Sequence, residues 1–181
     1  MIENHTFKNM RYEDYTGVVF SNCTLKNADM YGAEFSNCTF HGCDLNAYIT
    51  GTKFTNCSFT LCEFSNAYIF RSQFKNCVLD SCTMDDTLLS TVDFTGTNFE
   101  NVHWKGTIIN SPPLIIDGIE YPITALDNGW MHVGCEFNTM EYFETRDKRY
   151  VASTEGLRSA RFWRDNKQWI FDMLRSRGLY E

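Results

Sequence analysis

FTNCSFTLCEFSNAYIFRSQFKNCVL, residues 54–79, is written in fives. Phe54, Phe59, Phe64, Ile69, Phe74 and Leu79 are large and apolar. Two residues before each of the last five stands a small one: Cys57, Cys62, Ala67, Ser72 and Cys77. Working outward, the rule holds from Val18 and Phe20 to Thr107 and Ile109, over nineteen steps. One step is short: Leu45 to Ile49 spans four residues, so one residue is missing after Asn46. A period of five fits neither a helix nor a lone strand. It fits a solenoid whose short segments turn corners and point the large and small residues inward. Cys38, Cys57 and Cys77 recur every nineteen or twenty residues, as do Cys23, Cys43, Cys62 and Cys82, and Ala28, Ala47 and Ala67. Four steps therefore make one coil, and some five coils at a strand spacing of about 4.8 Å give a rod roughly 23 Å long.

The unit of small residue, polar residue, Leu or Phe, and two further polar residues resembles the pentapeptide-repeat family over about half of the chain. The resemblance implies a mainly β fold, a right-handed quadrilateral parallel β-helix. We expect an N-terminal cap over 1–17, the β-helix over 18–111, and a small C-terminal α+β or helical module over 112–181. Phe7 and Tyr12 are five apart but out of register with Phe20, which suggests a partial coil closing the open end. Ser111-Pro112-Pro113 ends the repeats, since proline cannot extend a ladder.

Composition bounds the rest. Of the eight cysteines, seven sit at the small inward slot, which also takes Ala, Ser and Thr, so buried packing explains them better than disulfides or zinc. The net charge is −7, no stretch is long and apolar enough to span a bilayer, and 1–10 lacks a basic-then-apolar signal. A cytoplasmic protein without membrane contact is expected, in a bacterial cell or a phage-infected host. Asn and Gly recur at the corners, where left-handed backbone suits them.

In the tail, Leu114–Ile116, Asp117-Gly118 and Ile119–Tyr121 read as a hairpin, and Asp127-Asn128-Gly129 as a second turn. Asn138 with Glu141 reads as a capping box, and Ser153 or Thr154 as the cap of a longer helix ending near Gly178. Trp130–Glu136, Tyr142-Phe143 and Phe162-Trp163 resemble a C-terminal module of small bacteriophage-encoded proteins, with Asn138 where that pattern has a His. The module implies no known activity. Cys135 alone lies outside the inward register, with His132 nearby, and reads as structural or as a reactive thiol. The four His show no metal spacing, and no phosphate loop or nucleophile elbow is present. No catalytic residue, metal or cofactor is expected.

One wall of the rod differs from the others. Its outward residues include Tyr31, Tyr48, Tyr68, Phe70 and Leu88, continued by Ile108, an apolar stripe that is either covered by the same chain or offered to a partner. Pentapeptide-repeat proteins of the quinolone-resistance kind are implied to mimic duplex DNA and bind type II topoisomerases. The expected function is thus a non-enzymatic acidic rod modulating a DNA-acting enzyme, either gyrase or a phage-defence nuclease. The alternative is an interaction scaffold acting through the aromatic wall and the C-terminal helix. Residues 18–109 carry nine acids and five bases, a net of −4. A duplex of the rod's length carries roughly 13 negative charges. Direct nucleic-acid binding is not expected of the rod; the tail, with seven bases between Arg149 and Arg177, is where it stays open. Phe162, Trp163, Trp169, Ile170, Met173 and Leu174 are more apolar surface than one solvent-facing helix should show, and a homodimer through them is expected.

The register makes a direct prediction. Phe64→Ala should cost about 3–5 kcal/mol in a denaturant melt, because it deletes an aromatic stacked between coils. A loss under about 1 kcal/mol would put Phe64 outside the core and the register in error.

Overall fold

The computed structural model describes residues 1–116, 118–134, 136–146 and 157–181. The period of five becomes a four-sided parallel β-solenoid of about five turns. One side is a six-stranded sheet: Ile2–Glu3, Val19–Ser21, Thr39–His41, Ser58–Thr60, Val78–Asp80 and Asn98–Glu100. The next is a ladder of single bridges through Thr6, Thr24, Asp44, Glu63, Thr83 and His103. The third stacks Tyr48–Thr50, Tyr68–Phe70 and Leu88–Ser90, and the fourth Asp14–Thr16, Glu34–Ser36, Lys53–Thr55 and Gln73–Lys75. Phe20 pairs with Phe40, Phe40 with Phe59, and Phe59 with Leu79, so like residues of successive coils lie over one another.

Inside, the rings stack along each side and meet edge-on across corners. Phe20–Phe40 and Phe40–Phe59 lie parallel at 4.7 and 4.8 Å, while Phe35–Phe40 are T-shaped at 5.5 Å. The small inward position fills space and donates hydrogen bonds. Thr52 Oγ1 donates to the Met30 carbonyl at 2.8 Å, Ser72 Oγ to Ile49 at 2.8 Å, and Thr97 Oγ1 to Phe74 at 2.6 Å. The thiols of Cys57 and Cys62 do the same to Phe35 and Phe40, both at 3.4 Å. Each donor reaches the central residue of the previous coil, a buried carbonyl that gains from a partner. Burial pushes the Cys23 and Cys38 thiols up, and thiol–thiol hydrogen bonding with burial raises Cys43 and Cys57 further. These side chains are protonated packing groups, as their register indicated.

The corners obey one rule. The residue two after the central one adopts left-handed backbone, from φ 50° at Asn22 to 71° at Gly96. The short step obeys it by omission: no residue between Leu45 and Ile49 has positive φ, so the deleted residue is the left-handed corner itself. Leu61, at φ 55°, takes this conformation against its side chain while standing 58% exposed.

The two ends depart from the expected register. Residues 1–17 form a further coil, with Ile2 paired to Phe20 and Tyr15 to Phe35, and with Met10 fully buried. Tyr12 is a corner residue at φ 57°, and Phe7 and Met10 are the inward pair, three apart. At the other end the coil stops at Trp104. Lys105 and Gly106, at φ 46° and 77°, turn the chain back, and Thr107–Ile109 pairs antiparallel with Val102–Trp104. Ile109 is buried there against Val102, and Ile108 lies opposite His103, off the aromatic wall.

The chain separates into two compact units, Met1–Pro112 and Pro113–Glu181. The second is an antiparallel four-stranded meander, Leu114–Ile116, Ile123–Ala125, Trp130–Val133 and Glu136–Thr139, followed by helices α1, Met140–Thr145, and α2, Leu157–Ser176. The first connection is longer than a two-residue turn, because Leu114–Ile116 pairs with Ile123–Ala125 and leaves Ile119–Tyr121 in the loop. Thr139, not Asn138, caps α1: its Oγ1 accepts the Tyr142 amide at 3.1 Å, while Asn138 is still in the strand opposite Met131. Asp117, Cys135 and the Ser153 or Thr154 cap lie outside the described residues. Ile123, Met131, Met140, Phe143, Trp163, Ile170 and Phe171 form this unit's own core. Arg146 sits at its edge with a side chain 5% exposed. Its guanidinium lies 4.8 Å from both the Phe143 and Trp163 rings and 2.8 Å from Glu136.

Two outcomes test these features. Leu61→Asn puts a residue tolerant of left-handed backbone into the corner held by Gly42 one coil earlier and by Asn22 two coils earlier, and should stabilise the rod by about 1 kcal/mol. A lower melting midpoint would show that Leu61 packs rather than strains. Arg146→Lys keeps the charge and loses the stacking plane, and should destabilise the C-terminal unit by about 1–2 kcal/mol, read in tryptophan fluorescence. An unchanged midpoint would reduce Arg146 to a point charge.

Candidate partner-binding surface

In a three-residue strand the central side chain points inward and its neighbours outward. On the third side this places Tyr48, Tyr68 and Leu88 directly over one another in the paired ladder. They are 56%, 43% and 61% exposed. With rungs about 4.8 Å apart, the three make a straight apolar column about 10 Å long. The second outward row holds Thr50, Phe70 and Ser90, with the Phe70 and Tyr68 rings 6.2 Å apart. Four of the five residues expected on this surface, Tyr48, Tyr68, Phe70 and Leu88, thus form one patch. Tyr31, 41% exposed, belongs to the preceding coil, where Asp29 bridges to Tyr48.

Two arginines missed in the sequence frame the stripe. Arg71, a left-handed corner residue, places its guanidinium 4.8 Å over Phe70. Arg11 lies 5.0 Å over Tyr31 and binds Asp29 at 2.8 Å, and Tyr12 meets Tyr31 edge-on at 5.4 Å. The Tyr31 amide, followed by Arg11, holds the Asp29 carboxyl below its usual range. The only sequence signal for Arg11 was the Phe7–Met10 spacing, which defines the first coil's register.

The acids of the rod serve its own backbone. Asp29, Asp44, Glu63 and Asp93 each accept the amide two residues on, from Tyr31, Asn46, Ser65 and Thr95, at 2.8–3.0 Å. Lys75 approaches Asp93 at 3.4 Å, and Lys53 and Lys105 pair with Glu34 and Asp86. Carboxylates therefore follow corner chemistry and nearby lysines rather than an even helical path. Among the described residues, no group of three or more His, Cys, Asp or Glu is placed to hold a metal ion, and no helix is long and apolar enough to cross a membrane.

In the C-terminal unit, the six residues assigned to a dimer divide. Phe162, Trp163, Ile170 and Leu174 are buried in that unit's core, and Met173 packs against its edge. Trp169 is 37% exposed, its indole N–H donating to Asn166 at 2.9 Å. The meander supplies the cover that the isolated helix lacked in sequence.

Against family models, the sequence matches pentapeptide repeats in eight copies, over residues 16–47 and 72–103. No curated protein matches it. Among solved structures it is similar to the pentapeptide repeat protein Rfr23 from the cyanobacterium Cyanothece 51142, at 14% identity over 59% of this chain and 87% of that one, with a TM-score of 0.33. It is also similar to a pentapeptide repeat protein from the Arabidopsis thaliana thylakoid lumen, at 24% identity over 51% of this chain and 66% of that one, TM-score 0.34. A third is QnrB1, a plasmid-mediated fluoroquinolone resistance protein, at 19% identity over 58% of this chain and 70% of that one, TM-score 0.28. Within the solenoid, residues 16–47 and 72–103 are pentapeptide repeats, in eight copies.

Proposed function

We propose that this chain is a non-enzymatic binding protein whose rod holds a protein partner against its third side. The observation that carries the reading is the exposed column of Tyr48, Tyr68 and Leu88. Equivalent outward positions on the other stranded sides hold Val19, Thr39, Ser58, Val78, Asn98, Asp14, Glu34, Lys53 and Gln73, polar residues apart from two half-buried valines. Burying an exposed side chain of this size contributes about 1.5–3 kcal/mol, and tyrosine is among the residues that dominate protein interfaces. A ladder fixed by coil-to-coil hydrogen bonds presents these rings with little conformational entropy left to lose.

The family resemblance supplies the partner class, a DNA-acting enzyme such as gyrase or a phage-defence nuclease. The rod's net charge, −5 over residues 1–112, supports repulsion of DNA and approach to a basic cleft. It supports a close charge copy of DNA less, because the acids are spent on corners and lysines. The scaffold reading shares the same wall and differs only in the partner. Trp169 and Met173 alone offer a twofold contact little apolar area, and the homodimer is not part of this reading.

The test places a photo-crosslinking residue at Tyr68 and, as control, at Thr39 on another side, in cells and with purified gyrase. A protein captured from Tyr68 and not from Thr39 is the expected result, lost on adding Leu88→Glu. Equal capture from both positions, or none from Tyr68, overturns the wall as the binding surface. Supercoiling that responds to the wild-type rod and not to Leu88→Glu selects gyrase; supercoiling that ignores both, with capture intact, selects the scaffold.

A further inference from the structure

Helix α2 carries a second surface of opposite character. Its first eight residues read Leu157-Arg158-Ser159-Ala160-Arg161-Phe162-Trp163-Arg164, with three arginines at intervals of three, and Asp165 follows. At about 1.5 Å per residue, neighbouring arginines are about 4.5 Å apart along the axis. Ser159, Phe162 and Trp163 face the core, and all three arginines face solvent. Setting three cations this close works against the helix. Like charges at this spacing repel one another. Cations in the first turns also oppose the helix macrodipole, and no acid stands in the first turn to offset them. Local acids quench the cluster only in part: Glu120 approaches Arg158 at 3.4 Å, and Asp165 pairs with Arg164.

The cluster continues into a cleft of the same unit. Its floor is Trp163 and Phe171, and Arg164, Lys167 and Arg175 line it. The acid there, Glu144, is already engaged by Arg175 and by the Tyr180 hydroxyl at 2.7 Å, and Asp172 stands 3.9 Å from Arg175 on the same helix. Lys167 donates to the Glu144 carbonyl, which fixes its chain beside the cleft. A chain of net charge −7 thus concentrates cations on one helix face and the cleft beside it. At physiological salt the screening length is about 8 Å, so the patch acts locally whatever the overall charge.

We infer that the exposed face of α2, Arg158, Arg161 and Arg164 with the cleft of Lys167 and Arg175, binds the phosphodiester backbone of nucleic acid. Guanidinium groups match phosphate oxygens with paired donors. A strand with one charge every ~3.4 Å of axis is dense enough for each closely set arginine to find a phosphate. Few acidic protein surfaces offer that density. The anion also removes the repulsion and offsets the unfavourable end of the dipole. This surface is independent of the aromatic wall and stands without the protein-binding reading.

The experiment measures fluorescence anisotropy of labelled single-stranded and duplex oligonucleotides with the full chain, between about 50 and 200 mM salt. Binding should weaken with salt, and Arg161→Gln with Arg164→Gln should reduce affinity about tenfold and the log–log salt slope by about 2. The melting midpoint of this variant should be equal or higher, since the substitutions relieve repulsion, which separates lost binding from lost folding. Lys26→Gln, an exposed cation of the rod, should leave the affinity unchanged. The single-stranded and duplex arms identify which form is preferred. Binding that survives the double substitution, binding absent at the lowest salt, or tighter binding to phosphatidylserine vesicles than to either oligonucleotide would each overturn the proposal.

Discussion

A coil of this solenoid finds its strand partners on its neighbours. The Tyr48 amide donates to the Ala28 carbonyl, Tyr68 to Ala47 and Leu88 to Ala67, at 2.9–3.0 Å, each twenty or twenty-one residues away. The chain must therefore return to register once per coil, and the other features of the repeat follow from that demand. Left-handed corners close the square. Aromatic stacks fill it, and small donors satisfy the carbonyls that turn inward. A residue can be deleted only where its loss leaves the strands in phase. The Leu45–Ile49 step meets this condition by dropping the left-handed corner, after which Glu34 still pairs with Lys53 and Phe35 with Phe54.

That demand explains which parts of the fold were legible. Wherever the inward pair repeats, the side of every residue can be counted, so Tyr48, Tyr68 and Leu88 could be placed on one wall from sequence. Counting fails where the coil changes shape. The first coil has a three-residue step from Phe7 to Met10, so the five-residue spacing of Phe7 and Tyr12 misleads, and Arg11 and Tyr12 were not seen beside Tyr31. The last coil ends at a Lys105-Gly106 turn that keeps the spacing of five through Ile109 while reversing the chain. The C-terminal unit has no repeat to count. Its packing depends on contacts distant in sequence, such as Arg146 against Trp163, and on a meander whose first loop is longer than its Asp-Gly pair suggested. The apolar excess on α2 was visible; that the same unit's sheet covers most of it was not.

The rod's charge is subordinate to its fold as well. An acid just before the central residue staples the corner by accepting the amide two residues on, as Asp44 and Glu63 do on adjacent coils. Such acids are placed by turn chemistry and would stand there whatever the rod binds. Their number makes the rod acidic without making its charge a message. The arginines of α2 are the converse case. They serve no capping or pairing role that needs three of them together, and they oppose the helix they sit on.

The same reasoning isolates the wall. In the three-residue strands the backbone is paired on its own, so the outward residue before the centre owes nothing to the ladder. Thr39, Ser58, Lys53 and Gln73 all occupy that position, which shows how little the fold asks of it. Three consecutive rungs nevertheless carry Tyr48, Tyr68 and Leu88, large side chains that gain from leaving water. Pairing in the ladder does not require them, and solubility argues against them. On the proposed reading, the column is accounted for by the partner that it binds.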